Sequence, residues 1–131
     1  MDDGEREITV RVHRPAAEVH AFARDPRNLP RWAAGLAAGI AEVDGRWLAD
    51  SPMGTVEVRF VSEEPGVLDH DVVLPSGEVA RNPVRVRPEG AGCAVVFTVR
   101  RQPGTSEAEF TADLDTVTAD LERLRDLLEQ R

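Results

Sequence analysis

A chain of 131 residues, 41% of them hydrophobic, with a formal charge of −8, has the make-up of one globular domain, residues 1–131, with a sizeable core. The acidic balance excludes a general nucleic-acid binder, because a phosphate backbone selects clustered positive charge. Cys93 is alone, which excludes an intrachain disulfide framework and a thiolate metal cluster. No apolar run has the length of a signal segment or a membrane span, so the expectation is a cytoplasmic protein without membrane insertion.

Residues 1–6 are polar and are expected to fray. Ile8, Val10 and Val12 then alternate with Thr9, Arg11 and His13, the period of a half-buried strand. Pro15 suits the first turn of a helix over 16–24, which Asp25-Pro26 ends. A second short helix carries Leu29 and Trp32, and Gly35 and Gly39 loosen the chain beyond it. Asp44-Gly45 predicts a tight turn between short strands over 40–43 and 46–49. Further strands are expected over 55–62, 67–74, 78–87 and 93–101, with Pro83 marking an edge or a bulge in the third. The even turn spacing predicts a single sheet.

The last element is a helix over 105–130. Phe110, Leu114, Val117, Leu121, Leu124 and Leu128 recur at steps of four and three, forming one apolar stripe that Leu127 widens. Ser106 and Glu109 have the spacing of a capping box. An antiparallel meander cannot leave its apolar face in water, and this helix is the obvious cover. The fold class is therefore α+β. Small side chains in the first half of the helix predict space against the sheet between Phe110 and Thr118, and the leucines beyond predict solid packing.

Ile8-Thr9-Val10, the run Arg14-Pro15-Ala16-Ala17-Glu18-Val19-His20-Ala21-Phe22 and the run Asn28-Leu29-Pro30-Arg31-Trp32, in this element order, resemble the START-like or SRPBCC superfamily. That superfamily includes polyketide cyclase/dehydrase-like proteins, the major birch pollen allergen and lipid-transfer proteins. The resemblance covers about Glu7 to Glu129 and is closest to short stand-alone bacterial members. It implies a helix-grip fold: a curved antiparallel sheet wraps a long C-terminal helix, with a cavity between them. It does not imply one activity, because the superfamily mixes carriers, cyclases, oxygenase domains and chaperone co-activators. Its oxygenase domains hold iron with two histidines and a carboxylate. His13, His20 and His70 lack that spacing, so no metal and no cofactor is expected.

A cavity in that place would be lined by Val56, Val58, Phe60 and Phe97 of the sheet and by Phe110, Thr111, Leu114 and Thr118 of the helix, with Trp32 or Trp47 at its mouth and Met53-Gly54 at its entrance. Among the polar residues, Asp69-His70-Asp71 stands out. In a strand, His70 shares a face with Leu68 and Val72, and the two aspartates take the other. Facing inward, His70 is either a base near neutral pH or a structural histidine. Arg81 and Asn82 lie beside Pro83, and their alternation lets one of the two point inward as an oxyanion donor. Should the aspartates face the cavity instead, Arg81 and Arg59 are their cross-strand partners. The acidic outer face of the helix, with Asp113 and Asp120, reads as solvated. The reading is a domain that binds a small hydrophobic molecule, aromatic or polyketide-like. The alternatives are a cyclase or dehydratase using acid–base chemistry, which the absence of tyrosine limits, and a non-catalytic interaction domain with a filled core.

Overall fold

The structure, a computed structural model, describes residues 4–33 and 38–130. The expected loosening at Gly35 lies outside them. The element order is β1 (Glu5–Val12), α1 (Ala16–Arg24), a 3-10 turn (Pro26–Asn28), α2 (Leu29–Trp32), β2 (Gly39–Val43), β3 (Arg46–Ser51), β4 (Gly54–Phe60), β5 (His70–Val73), β6 (Val79–Asn82), β7 (Val84–Glu89), β8 (Gly92–Arg100) and α3 (Glu107–Glu129). Glu5 and Arg6, expected to fray, are the first residues of β1 and pair with Arg100 and Val99. Asp44 and Gly45 both take positive φ, as the tight β2–β3 turn requires.

The strands form a curved antiparallel layer packed against α3, the helix-grip arrangement. They do not form one continuous ladder. β1, β8 and β7 make a three-stranded sheet, and β2 to β6 make a five-stranded meander in chain order. The division falls at Pro83. Proline has no amide to give a ladder, so β6 ends before it and β7 begins after it. The Pro83 carbonyl accepts from the Thr98 amide of β8. The Asp69 carboxylate accepts from the Val84 amide at 2.9 Å, which satisfies the first amide after the break. The segment expected as one strand over 67–74 serves both sheets: Val67 bridges to Arg85 of β7, and His70–Val73 pair with β4 and β6. Gly66 makes this crossing possible. Its φ is +81°, and a Cβ there would meet the Val86 carbonyl oxygen at 2.8 Å.

The core joins both sheets to all three helices. Val10 and Val12 of β1, Val56 and Val58 of β4, and Val95 of β8 lie beneath Leu121, Leu124 and Leu128 of α3, with Val19 and Leu29 closing one end. α3 opens with the expected capping box, Ser106 Oγ accepting from the Glu109 amide and Glu109 Oε1 from the Ser106 amide. Such a cap stabilises a helix by about 1 kcal/mol. The outer face of the sheets carries paired charges. Arg46 and Arg59 both reach Glu57, Arg81 pairs with Asp71, and Arg85 pairs with Asp69. Arg59 therefore serves Glu57, within its own strand, and neither aspartate turns inward.

Candidate functional site

Between the first half of α3 and the inner face of β5, β6 and β8 lies a cavity of about 270 Å³. Leu29 and Trp32 of α2, with Ala33 that caps it, close one side. The sheet supplies Val72 and Leu74 around β5, Ala80 of β6, and Phe97 and Val99 of β8. α3 supplies Asp113, Thr116, Val117 and Asp120, one stripe at helical spacing. Met53 stands at the mouth, 56% exposed, as its place between β3 and β4 led us to expect. The lining is mainly apolar, and its polar groups sit in three places: His70 with Asn82 on the sheet, Arg100 and Gln102 at the end of β8, and Asp113, Thr116 and Asp120 on the helix.

His70 is buried, on the same face as Leu68 and Val72. Its Nδ1 lies 3.1 Å from the Leu68 carbonyl oxygen, which only accepts, so Nδ1 carries the proton. Nε2 then holds a lone pair, and the Asn82 amide donates to it at 3.3 Å. The ring is further fixed between Phe60, with centroids 5.5 Å apart, and Phe97, at 6.1 Å. Burial pushes the His70 pKa below the usual histidine range, against the weaker opposing pull of the Leu68 carbonyl and of Asp69 and Asp71. The ring is therefore a neutral imidazole at physiological pH, a hydrogen-bond acceptor aimed at Asn82. To work as a base on a ligand it must exchange the Asn82 amide for a ligand donor.

This geometry sets a titration result. His70 is expected to stay neutral in an NMR titration down to a pH clearly below the ordinary value of about 6.5. Because its folded pKa is depressed, the unfolded chain binds the proton first. Stability is therefore full above about pH 6.5 and declines as pH falls through the folded value. A His70→Gln variant should lose that part of the decline. A His70 that titrates at the ordinary value would contradict the burial.

The expected site residues divide. Trp32, Phe97, His70 and Asn82 meet at the cavity. Arg81 does not: it pairs with Asp71 on the outer face, because neighbours in a strand point to opposite sides. Val56 and Val58 belong to the core, each 1% exposed, and do not line this cavity. Phe60 packs at a tilt against His70 and, with Val58, lines the same surface groove as Trp47. Trp47 lines a separate surface groove with Arg24, Arg46 and Arg59. On α3 the expected wall is rotated. Phe110, Thr111 and Leu114 line another groove beside Arg101, and Thr118 lines a third beside β1. Val117 is shared between the apolar stripe and the cavity wall, and the cavity occupies the flank with Asp113 and Asp120.

Asp120, expected in solvent, is 9% exposed. Arg123 holds it, with Nη1 3.2 Å from Asp120 Oδ1 and 3.0 Å from the Trp32 carbonyl oxygen. This guanidinium ties α2 to α3 beside the cavity. The i, i+3 spacing of Asp120 and Arg123 is visible in the sequence, but the Trp32 carbonyl is not. No group of three or more His, Cys, Asp or Glu among the described residues is placed to hold a metal ion. Nor, among them, is any helix long and apolar enough to cross a membrane.

The family model for polyketide cyclase / dehydrase and lipid transport matches residues 5–129. The chain belongs to this family. Solved structures with the same START-like fold agree with that placement. DynU16, a protein of the dynemicin biosynthetic locus, superposes with a TM-score of 0.73 at 18% identity over 98% of this chain and 48% of its own. The chain thus spans about half the length of DynU16. XoxI from Bacillus cereus gives 0.74 at 11% identity, over 95% of this chain and 94% of its own. A START superfamily protein from Mycobacterium smegmatis gives 0.69 at 14% identity, over 97% and 98%. At these identities the likeness is one of fold. No curated protein matches the chain.

Proposed function

We propose that this family member binds a small, largely apolar molecule, aromatic or polyketide-like in shape, in the cavity between α3 and the sheet. The observation that carries this is the cavity itself: about 270 Å³ and mainly apolar, with its polar groups grouped on β5–β6, at the end of β8 and on α3. The cavity suits a compact ligand of two or three rings better than a long acyl chain. Apolar walls supply the affinity, and the His70–Asn82 pair supplies a point of orientation. The cavity supports binding over the filled-core interaction domain.

A second reading, a cyclase or dehydratase, rests on the same pair. His70 Nε2 would take a proton from an activated carbon while Asn82, freed from the ring, steadies the enolate oxygen. Arg81, which points away, has no part in it. We rank this below binding because the imidazole lone pair is already occupied.

The test uses an uncharged probe, N-phenylnaphthylamine, whose fluorescence rises on transfer from water to an apolar site. Saturable one-to-one binding, together with a small molecule retained in native mass spectrometry, is the expected result. Absence of any saturable binding would overturn the reading. Loss of turnover of a retained ligand in His70→Gln, with binding intact, would move the assignment to the enzyme.

A further inference from the structure

The charges around the cavity do not balance. Three charged side chains line it: Arg100, Asp113 and Asp120. Arg100 faces Glu5 across the β1–β8 pair, its Nε 3.4 Å from the carboxylate. Asp120 is held by Arg123. Asp113, exposed at the rim, has no ion pair among the described residues, and Glu109, one turn earlier on α3, adds a second negative charge. His70 supplies no positive charge, since its ring is buried and neutral. The remaining walls include the rings of Trp32 and Phe97, whose π faces are themselves electron-rich. Trp32 is 4% exposed, and its Nε1–H, which only donates, has no hydrogen-bond partner among the described residues; a ligand hydroxyl oxygen can accept from it, an ammonium cannot.

We infer that the cavity selects a ligand whose polar end is a hydrogen-bond donor of zero or positive charge, a hydroxyl or an ammonium group on a ring body, and excludes carboxylates and phosphates. This rests on the binding reading above and adds the ligand's polarity to it. An anion entering here loses hydration and meets the Asp113 carboxylate, while Arg100, the one arginine among the described lining residues, already faces Glu5. A hydroxyl or ammonium instead donates to Asp113 at the rim while its rings lie against Trp32, Phe97 and Val117. Desolvation and Glu109 together hold the Asp113 carboxyl above its ordinary pKa, the direction expected of a carboxylate in need of a donor.

The test is displacement of N-phenylnaphthylamine by three ligands with one body: naphthylethanol, naphthylethylamine and naphthylacetate. The alcohol and the amine are expected to displace the probe at least about tenfold better than the carboxylate, since like-charge juxtaposition is strongly unfavourable. Asp113→Asn should narrow that gap. Asp126→Asn, which removes the same charge at the far end of α3 where Asp126 meets Arg125, should leave it unchanged. This separates the local carboxylate from the overall negative charge. Equal displacement by all three ligands would overturn the inference and leave the binding reading standing. So would equal narrowing by the two variants. Failure of the probe itself to bind would overturn the binding reading, and this inference with it.

Discussion

Leu124→Ala is expected to lower the unfolding free energy by about 3 kcal/mol, within the range for a buried leucine cut back in a rigid core. Leu124 is 0% exposed, between Leu121 and Leu128, which are equally buried. All three belong to the cluster that joins both sheets. A rigid core closes such a gap only in part, so the cavity term adds to the lost transfer energy. A domain of this size has only about 5–15 kcal/mol in total, so the loss is a large share. Val117→Ala, seven residues earlier on the same stripe, should cost only about 1 kcal/mol, because Val117 is half-buried and already borders empty space. Urea unfolding with an unchanged m-value checks both. Equal losses at the two positions would mean that α3 packs uniformly and that the cavity is not a standing feature of its first half.

Ala80→Phe is expected to weaken N-phenylnaphthylamine binding by more than about tenfold while changing stability by no more than about 1 kcal/mol. Ala80 is half-buried on β6, opposite Val72, and its side chain faces the cavity. A phenyl ring there takes up space that a ligand needs, without overpacking the core, since the space is open. Val79→Phe is the control. Val79 points to the other side of the same strand and is 55% exposed, so the added ring lies in solvent and binding should not change. Equal effects of the two would show that the probe binds elsewhere, for example in the groove beside Trp47.

Much of this architecture was legible in the chain because it obeys short-range rules. The alternation of Ile8, Val10 and Val12 specified a strand, and the steps of four and three from Phe110 to Leu128 specified a helix and its apolar stripe. Asp44-Gly45 specified a turn. The inward direction of His70 came from its place between Leu68 and Val72. The division of roles between Arg81 and Asn82 was half-legible: alternation says that one of them points in, and only the pairing of Arg81 with Asp71 says which. The curved sheet was legible, but the break in its ladder was not, because Pro83 read as an edge or a bulge within one strand. The proline ends one ladder and starts another, and the distant Asp69 caps the next amide, that of Val84.

The rotation of α3 over the sheet was not legible. Periodicity defines the centre of an apolar stripe but not which flank of it meets a void, since that depends on where strands distant in sequence run out beneath it. Phe110, Thr111, Leu114 and Thr118 fall on one flank, and Asp113, Thr116 and Asp120 on the other. Nothing within the helix distinguishes the two. The burial of Asp120 depends in the same way on Arg123 meeting a carbonyl 91 residues away in the chain. By itself, then, the sequence determined the elements, their buried faces and the family pattern, because propensity, capping and periodicity act over a few residues. Only the tertiary structure decided where the cavity opens and which charges border it, because both are set by contacts between segments that no local pattern relates.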